Sequence, residues 1–479
     1  METRRVDVAV IGAGTAGMTA FHAARKHTDA VVLIEGDAYG TTCARVGCMP
    51  SKLLIAAADA AHAAREADGF GVHAGGVTVD GAAVLQRVRL ERDRFVQGVL
   101  NTVDKWPEPQ KLHGRTRFIA PGVLQVGDDL RLEAGRVVIA TGASPHVPDG
   151  WREALGDRLA LSDDVFEWST LPESVAVVGA GVIGLEIGQA LHRLGVRVTV
   201  FDRGGPLGPV GDPEIAAAAR AIFAGELHLA TGAEIETLSL ENGRVRVDYA
   251  QQGQRKSATF ERLLAATGRR PNVSGLDLHK AGAPLDQHGV PESNRSTCQV
   301  GDLPLFIAGD AAAHRMLLHE AADEGRIAGD NAGRWPDVRV NVRRALLSIA
   351  FTDPQMAVVG EGHEALKKAG INFATGLIDF ATQGRSRVMR QNRGLLHLYG
   401  EHGSGRFLGA EMAAPEAEHL AHLLAWALHD CWTVQQLIEA PYYHPTAEEG
   451  LRGALRELQR ALHMGPPPVP SCLDCGPGG

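Results

Sequence analysis

Two glycine-rich turns of one form constrain this chain more than any other feature. Gly12-Ala13-Gly14-Thr15-Ala16-Gly17 follows an apolar run at residues 6–11, and Gly179-Ala180-Gly181-Val182-Ile183-Gly184 follows another at 175–178. Each leads into a helical pattern, about 18–26 and 185–194, and then a second apolar run that ends on an acid, Glu35 and Asp202. In such a strand–turn–helix–strand unit the first glycine permits the tight turn. The second lets backbone approach a pyrophosphate, and the third lets helix and strand pack closely. The helix N-terminus offers free N–H groups to phosphate, and the terminal carboxylate accepts from ribose hydroxyls. Two complete units predict two dinucleotide sites on two parallel sheets. Gly12, Gly14, Gly17 and Glu35 are candidate contacts at the first site; Gly179, Gly181, Ile183, Gly184, Asp202 and Arg203 are candidates at the second. A carboxylate at Asp202 repels a 2′-phosphate and favours NAD, although the neighbouring Arg203 is a residue type that pairs with one. NAD is expected over NADP.

Between the two units lies Thr42-Cys43-Ala44-Arg45-Val46-Gly47-Cys48-Met49-Pro50-Ser51-Lys52. Two cysteines four residues apart are, in isolation, as readily buried structural thiols or half of a zinc site. Directly after a dinucleotide unit they read as a pair that exchanges electrons with a bound ring system. A helix is expected from Cys48 to about residue 67, and its dipole stabilises a thiolate at its start. Lys52 falls one turn on, on the face of Cys48, or is a solvated lysine. Arg45, positive and between the cysteines, is expected to favour thiolate and shift the redox potential.

A chain of 479 residues exceeds one hydrophobic core, so two to four domains are expected. Hydrophobic residues at 44% and charged residues at 22% fit a globular protein. A net charge of −9 gives no reason to expect nucleic acid or an anionic membrane as partner. No apolar run approaches the roughly 20 residues that span a bilayer. The N-terminus runs straight into a strand, leaving no room for a signal peptide. Six cysteines are too few for a disulfide scaffold, so a cytoplasmic setting with a catalytic disulfide is expected.

The remaining stretches supply further candidates. Residues 81–105 form an amphipathic helical pattern read as packing, and 114–126 a strand pair turning at Pro121-Gly122. The strand at 136–140 closes on Ala140-Thr141-Gly142, and that at 263–266 on Thr267-Gly268, a repeat that suits backbone contact with a ligand at a sheet edge. Glu186 opens its helix and either points toward a nicotinamide or serves the helix dipole. Asp310, before a helix at 318–333, either accepts from a polyol chain or caps. From residue 341 the pattern becomes an antiparallel sheet flanked by helices at 416–429 and 449–462, an α+β unit. The apolar segment 419–428 is either a subunit contact or helix-on-sheet packing. His444 precedes Pro445, and Glu449 could orient its ring as a proton acceptor near neutral pH; a lone histidine is more often structural. Cys298 and Cys431 read as structural. The Pro/Gly-rich tail from residue 465 carries Cys472 and Cys475 as a CxxC, which reads as a mobile redox pair, a metal clip or a segment without catalytic function.

In the order GAGTAG, TCARVGCMPSK, ATG, GAGVIGLE, ATGRRPN, AGD, HPTAEE, the chain over about residues 5–463 resembles the class I flavin-dependent pyridine nucleotide–disulfide oxidoreductases, closest to their dihydrolipoyl dehydrogenase branch. The resemblance implies an α/β fold with two Rossmann-like domains and a C-terminal α+β dimerisation domain. The implied division is FAD binding at 1–155 and 275–340, NAD(P) binding at 156–274, dimerisation at 341–464 and a flexible tail at 465–479. It implies FAD, NAD and no resident metal. It also implies a homodimer whose active sites are shared, acting on a disulfide or dithiol that a lipoyl-bearing protein can present. Cys43 would then be the interchange thiol and Cys48 the thiol nearest the flavin, with Lys52 and Glu186 paired beside the ring. Asp310 would hold the ribityl chain, the Leu318 backbone would meet the pyrimidine end, and Gly114 would lie by the adenine. Thr42, Ala140, Thr141, Gly142 and Gly268 complete the cofactor contacts. His444 and Glu449 would serve the other subunit. Arg45, Thr41 and Tyr442 depart from the common pattern and bear on which disulfide is used. Alternatives are an NAD(P)H-dependent reductase of another disulfide, a quinone or a metal ion, and a low-turnover FAD-holding redox sensor.

Overall fold

The computed structural model describes residues 2–463. The tail with Cys472 and Cys475 lies outside the described residues. Three units of structure follow the three sequence patterns.

The first is a seven-stranded sheet. Its centre is the strand Glu2–Ile11, paired in parallel with Val31–Glu35 on one side and with Leu130–Ile139 on the other. Helices cover it, so Val8, Ala9, Val10, Val32 and Leu33 are fully buried, as a parallel sheet requires. The helix Thr15–Ala24 lies against Leu318–Arg334 through small residues. A Cβ on Gly325 would stand 2.2 Å from the Ala16 carbonyl oxygen, and one on Gly329 2.1 Å from that of Ala20. This close crossing carries the start of the second helix toward the first glycine turn. The strand pair expected at 114–126 forms as Thr116–Ala120 and Val123–Val126.

The second unit is a five-stranded parallel sheet in the order His228–Thr231, Arg197–Asp202, Ser174–Val178, Arg262–Ala265, Leu159–Leu161. It carries an antiparallel meander, Ala233–Glu241, Arg244–Gln251 and Gln254–Phe260, that the motif-based reading passed over. The signals were present: Asn242-Gly243 and Gln252-Gly253 both take positive φ at both positions, the geometry of tight hairpin turns.

The third is a five-stranded antiparallel sheet, Leu347–Ala350, Gln355–Gly360, Phe407–Ala414, Leu395–Glu401, Phe373–Asp379. The helices Ala417–His429 and Gly450–Ala461 pack on it. One face of Ala417–His429 buries Leu420, Ala421 and Leu424 on the sheet, while Leu423 and Trp426 remain open. The helix-on-sheet packing expected for this helix is present on that buried face. Among the described residues no helix is long and apolar enough to cross a membrane.

Candidate active site

Both glycine turns open onto one cavity of about 630 Å³. Gly12 holds φ +99°, and a Cβ there would stand 2.4 Å from the Ala140 carbonyl oxygen. A Cβ on Gly17 would stand 1.8 Å from that of Gly12, so strand, turn and helix are in close contact. A Cβ on Gly14 would meet nothing within 4 Å, because that residue faces the cavity. The second turn repeats this, with Gly179 2.3 Å from the Ala266 carbonyl oxygen, Gly184 2.0 Å from that of Gly179, and Gly181 facing open space. No side chain caps the helices Thr15–Ala24 and Val182–Arg193, so their first N–H groups stay available to phosphate.

The same cavity brings together Thr42, Cys43, Cys48, Lys52, Ile183, Glu186, Gly142, Ala140, Gly268, Asp310 and Leu318. Burial raises the Asp310 carboxyl above its ordinary value. Thr141 sits just behind the wall, with its hydroxyl buried and without a hydrogen-bond partner among the described residues. Glu35 accepts from Ala13 N–H at 2.7 Å and Asp37 N–H at 3.0 Å, bracing the first turn. Gly114 donates to the Glu35 carbonyl at 2.9 Å, so the two lie together at the sheet edge beyond the cavity. The open space at Gly14, the orphaned Thr141 hydroxyl and the Asp310 carboxyl on the cavity wall fit FAD along the first turn.

Asp202 and Arg203 stand at the end of the second sheet, outside the cavity. Asp202 is buried and already engaged: Oδ1 accepts from Gly204 N–H at 3.0 Å and Oδ2 from Arg220 Nε at 3.3 Å. The carboxylate is therefore held in place by Arg220, a partner that no motif announces.

Cys43 lies on the short helix Thr42–Arg45, capped by Thr41, whose hydroxyl accepts from Ala44 N–H at 3.2 Å. Cys48 is the first residue of the helix Cys48–Glu66. No disulfide joins them in this structure. The Cys43 thiol donates to Cys48 sulfur, and this bond, with the nearby Lys52 ammonium, overrides burial and holds the Cys48 thiol down to about 6. The same bond and burial push Cys43 well above its ordinary value. Arg45 does not act as expected. Its Nη1 donates to the Tyr39 carbonyl at 2.7 Å and its stem lies on Gly40, so the cation beside Cys48 is Lys52. One helical turn aligns Lys52 with Cys48, whereas Arg45 projects from a different helix.

Lys52 Nζ lies 2.7 Å from Glu186 Oε2, and that carboxylate is only 4% exposed. His444 Nδ1 lies 2.8 Å from Glu449 Oε2, with the imidazole 52% exposed and the carboxylate 9%. Neither of these last two lines the cavity of the thiols. Three further cavity residues carry no motif: Phe351, His319 and His422. They arrive from loops and helices far apart in sequence, where only the fold brings them together.

The family model described as pyridine nucleotide-disulphide oxidoreductase matches residues 6–325, and the model of that family's dimerisation domain matches 347–455. The chain belongs to the pyridine nucleotide-disulphide oxidoreductases, enzymes that use FAD and NAD(P), and it carries their dimerisation domain. It is 30% identical to a dihydrolipoyl dehydrogenase of Thermus scotoductus over 96% of this chain and 98% of the relative. It is 32% identical to a mercuric reductase of Shigella flexneri over 95% of this chain and 81% of the relative. The solved structure of LpdA from Mycobacterium tuberculosis superposes with a TM-score of 0.80 at 25% identity, covering 95% of this chain and 100% of that one.

Proposed function

We propose that this chain oxidises a vicinal dithiol of the dihydrolipoamide type, free or carried on a lipoyl-bearing protein, and delivers the electrons to NAD+. The observation that carries the reading is the adjacent Cys43 and Cys48 sulfurs, set beside Lys52–Glu186 in a cavity both glycine turns share. The reaction is reversible dithiol–disulfide exchange. His444 of a second copy accepts the proton of one substrate thiol, with Glu449 steadying the imidazolium. The thiolate attacks Cys43 sulfur, the Cys43–Cys48 bond breaks, and Cys48 leaves as a thiolate beside Lys52. His444 loses its proton to solvent. The second substrate thiol then attacks the substrate sulfur joined to Cys43, and its proton reaches the departing Cys43 through His444. The products are a substrate disulfide, a Cys43 thiol and a Cys48 thiolate. Bound FAD would supply the two-electron link between the reduced cysteines, which re-form the Cys43–Cys48 bond with release of the Cys43 proton, and the nicotinamide.

Gly12, Gly14 and Gly17 would hold the FAD pyrophosphate, Glu35 its ribose, Gly114 the adenine end, Asp310 the ribityl chain and the Leu318 backbone the pyrimidine. Gly179, Gly181 and Gly184 would hold the second nucleotide, with Asp202 favouring NAD. The homodimer carries two shared sites in this reading, and the pair works in the reducing cytoplasm. Steady-state rates with NADH and NADPH against lipoamide, glutathione disulfide and Hg2+ test it. Lipoamide with NADH is expected to be turned over fastest, and a preference for Hg2+ would overturn the assignment. That second reading is favoured by the mercuric reductase relatives and by the tail pair Cys472 and Cys475.

A further inference from the structure

The Lys52–Glu186 pair is supported from the third domain. After the strand Leu347–Ala350 the chain runs along one face of the helix Val182–Arg193. Phe351 N–H donates to Glu186 Oε1 at 2.8 Å. Asp353 N–H donates to Gln189 Oε1 at 2.8 Å, and Gln189 Nε2 returns a bond to the Asp353 carbonyl at 2.8 Å. Arg193 Nη2 reaches Asp353 Oδ2 at 2.8 Å. Glu186, Gln189 and Arg193 follow helical spacing on one face, so the segment is fastened along two turns. Arg193 is itself buried and pairs also with Glu226 and Asp59, which ties the fastening into the second domain and the redox helix. Phe351 is thereby placed with its ring on the cavity wall, and Lys52 Nζ sits 4.7 Å from the ring centroid. An ammonium over an aromatic face is attracted electrostatically, and more so where water is thinned.

We propose that Phe351 is a positioning residue of the redox site: its ring holds the Lys52 ammonium toward Glu186 and Cys48, and its fastened backbone brings that restraint in from the dimerisation domain. The inference rests on reading Lys52 and Glu186 as the pair beside the flavin. Without the ring, Lys52 keeps its carboxylate partner but gains freedom to swing toward solvent, which its 32% exposure already admits. The groups facing Cys48 are Cys43 from the preceding helix, Lys52 from its own and Glu186 from the helix across the cavity. Loosening Lys52 therefore weakens the one cation among them.

The test uses the flavin-loaded homodimer, reduced by one dithiol equivalent, and follows against pH the long-wavelength absorbance a thiolate gives beside an oxidised flavin. Phe351→Leu removes the π face and keeps the N–H bond to Glu186. Its midpoint is expected to rise by about half a pH unit. Its kcat with NADH and lipoamide is expected to fall about threefold to tenfold, at unchanged KM for lipoamide. Phe351→Tyr, which keeps the ring, is expected to restore both. If F351L yields no dimer, Phe351→Met gives the same readings with an unbranched side chain. An unmoved midpoint and kcat, or a Tyr variant as impaired as the Leu variant, overturns the proposal. If Lys52→Met leaves the midpoint in place while the Phe351 variants shift it, the reading of Lys52 fails instead.

Discussion

His444 and Glu449 form a close pair, Nδ1 to Oε2 at 2.8 Å, yet both stand outside the cavity that holds the two thiols. The carboxylate is buried and the imidazole is half exposed, so the ring is oriented by its own chain and presented outward. Its chain neighbour Tyr443, 82% exposed, shares a surface pocket with Trp426, 64% exposed, on the domain that matches the family's dimerisation model. An imidazole that does not line the cavity of its own chain's thiols is consistent with the proposed site completed by a second copy.

His444→Gln is expected to lower lipoamide turnover by about two orders of magnitude or more, the range of lost acid–base catalysis. NADH-driven reduction of a dye at the flavin should remain. Mixed dimers of H444Q with Cys43→Ser separate shared from self-contained sites. Each parent variant is expected to be strongly impaired, and the mixture should regain turnover only if one chain's His444 serves the other's Cys43.

Lys52 lowers the Cys48 thiol, so Lys52→Met should raise it from about 6 by roughly one unit. The sign is fixed by the direction of the shift. A depressed thiol is ionised above its midpoint and protonated as pH falls through it. The parent should keep the thiolate absorbance down to about pH 6, whereas the variant should lose it nearer neutrality. A titration of the reduced holoenzyme reads this directly.

Gly14 and Gly17 should respond differently to alanine. At Gly17 the added Cβ would meet backbone at 1.8 Å, so Gly17→Ala should cost about 2–4 kcal/mol in stability. At Gly14 nothing lies within 4 Å and φ is −75°, so Gly14→Ala should leave the thermal midpoint of flavin-free protein near that of the parent. The methyl group would instead enter the space assigned to pyrophosphate, and the measured FAD affinity should fall about tenfold or more. Equal loss of stability in both variants would count against the cofactor assignment.

Asp212 joins the second domain to the third. Its Oδ2 meets His397 Nδ1 at 2.8 Å and accepts from the Tyr399 hydroxyl at 2.9 Å, while Oδ1 caps the helix Pro213–Glu226. Burial alone would raise this carboxyl, but the His397 and Tyr399 bonds outweigh it and hold it below the usual carboxylate range. A depressed carboxyl stabilises fully above its unfolded value and loses that contribution as pH falls through the folded one. Asp212→Asn should therefore cost about 2 kcal/mol near neutrality, with the difference from the parent shrinking below about pH 4. Denaturant unfolding at several pH values measures both.

Much of this protein was written locally. Each glycine turn sits beside the strand and helix it joins, and Cys48, Ser51 and Lys52 lie within one helical turn, so spacing alone places them. The three-part architecture was legible for the same reason, since parallel strands buried on both faces read as apolar runs. What the sequence could not carry is contact across long separations. Arg45 looked like the charge beside the thiols, but its helix turns it to Tyr39. Arg220 holds Asp202 from a different element, and Phe351 reaches Lys52 from another domain. The hairpins at Asn242-Gly243 and Gln252-Gly253 had clear turn signals but no place in the dinucleotide pattern. Local chemistry thus determined which redox groups the chain possesses. Tertiary packing decided which charges stand beside them, because the strength of an ionic or aromatic contact depends on distance and burial, which only the folded arrangement supplies.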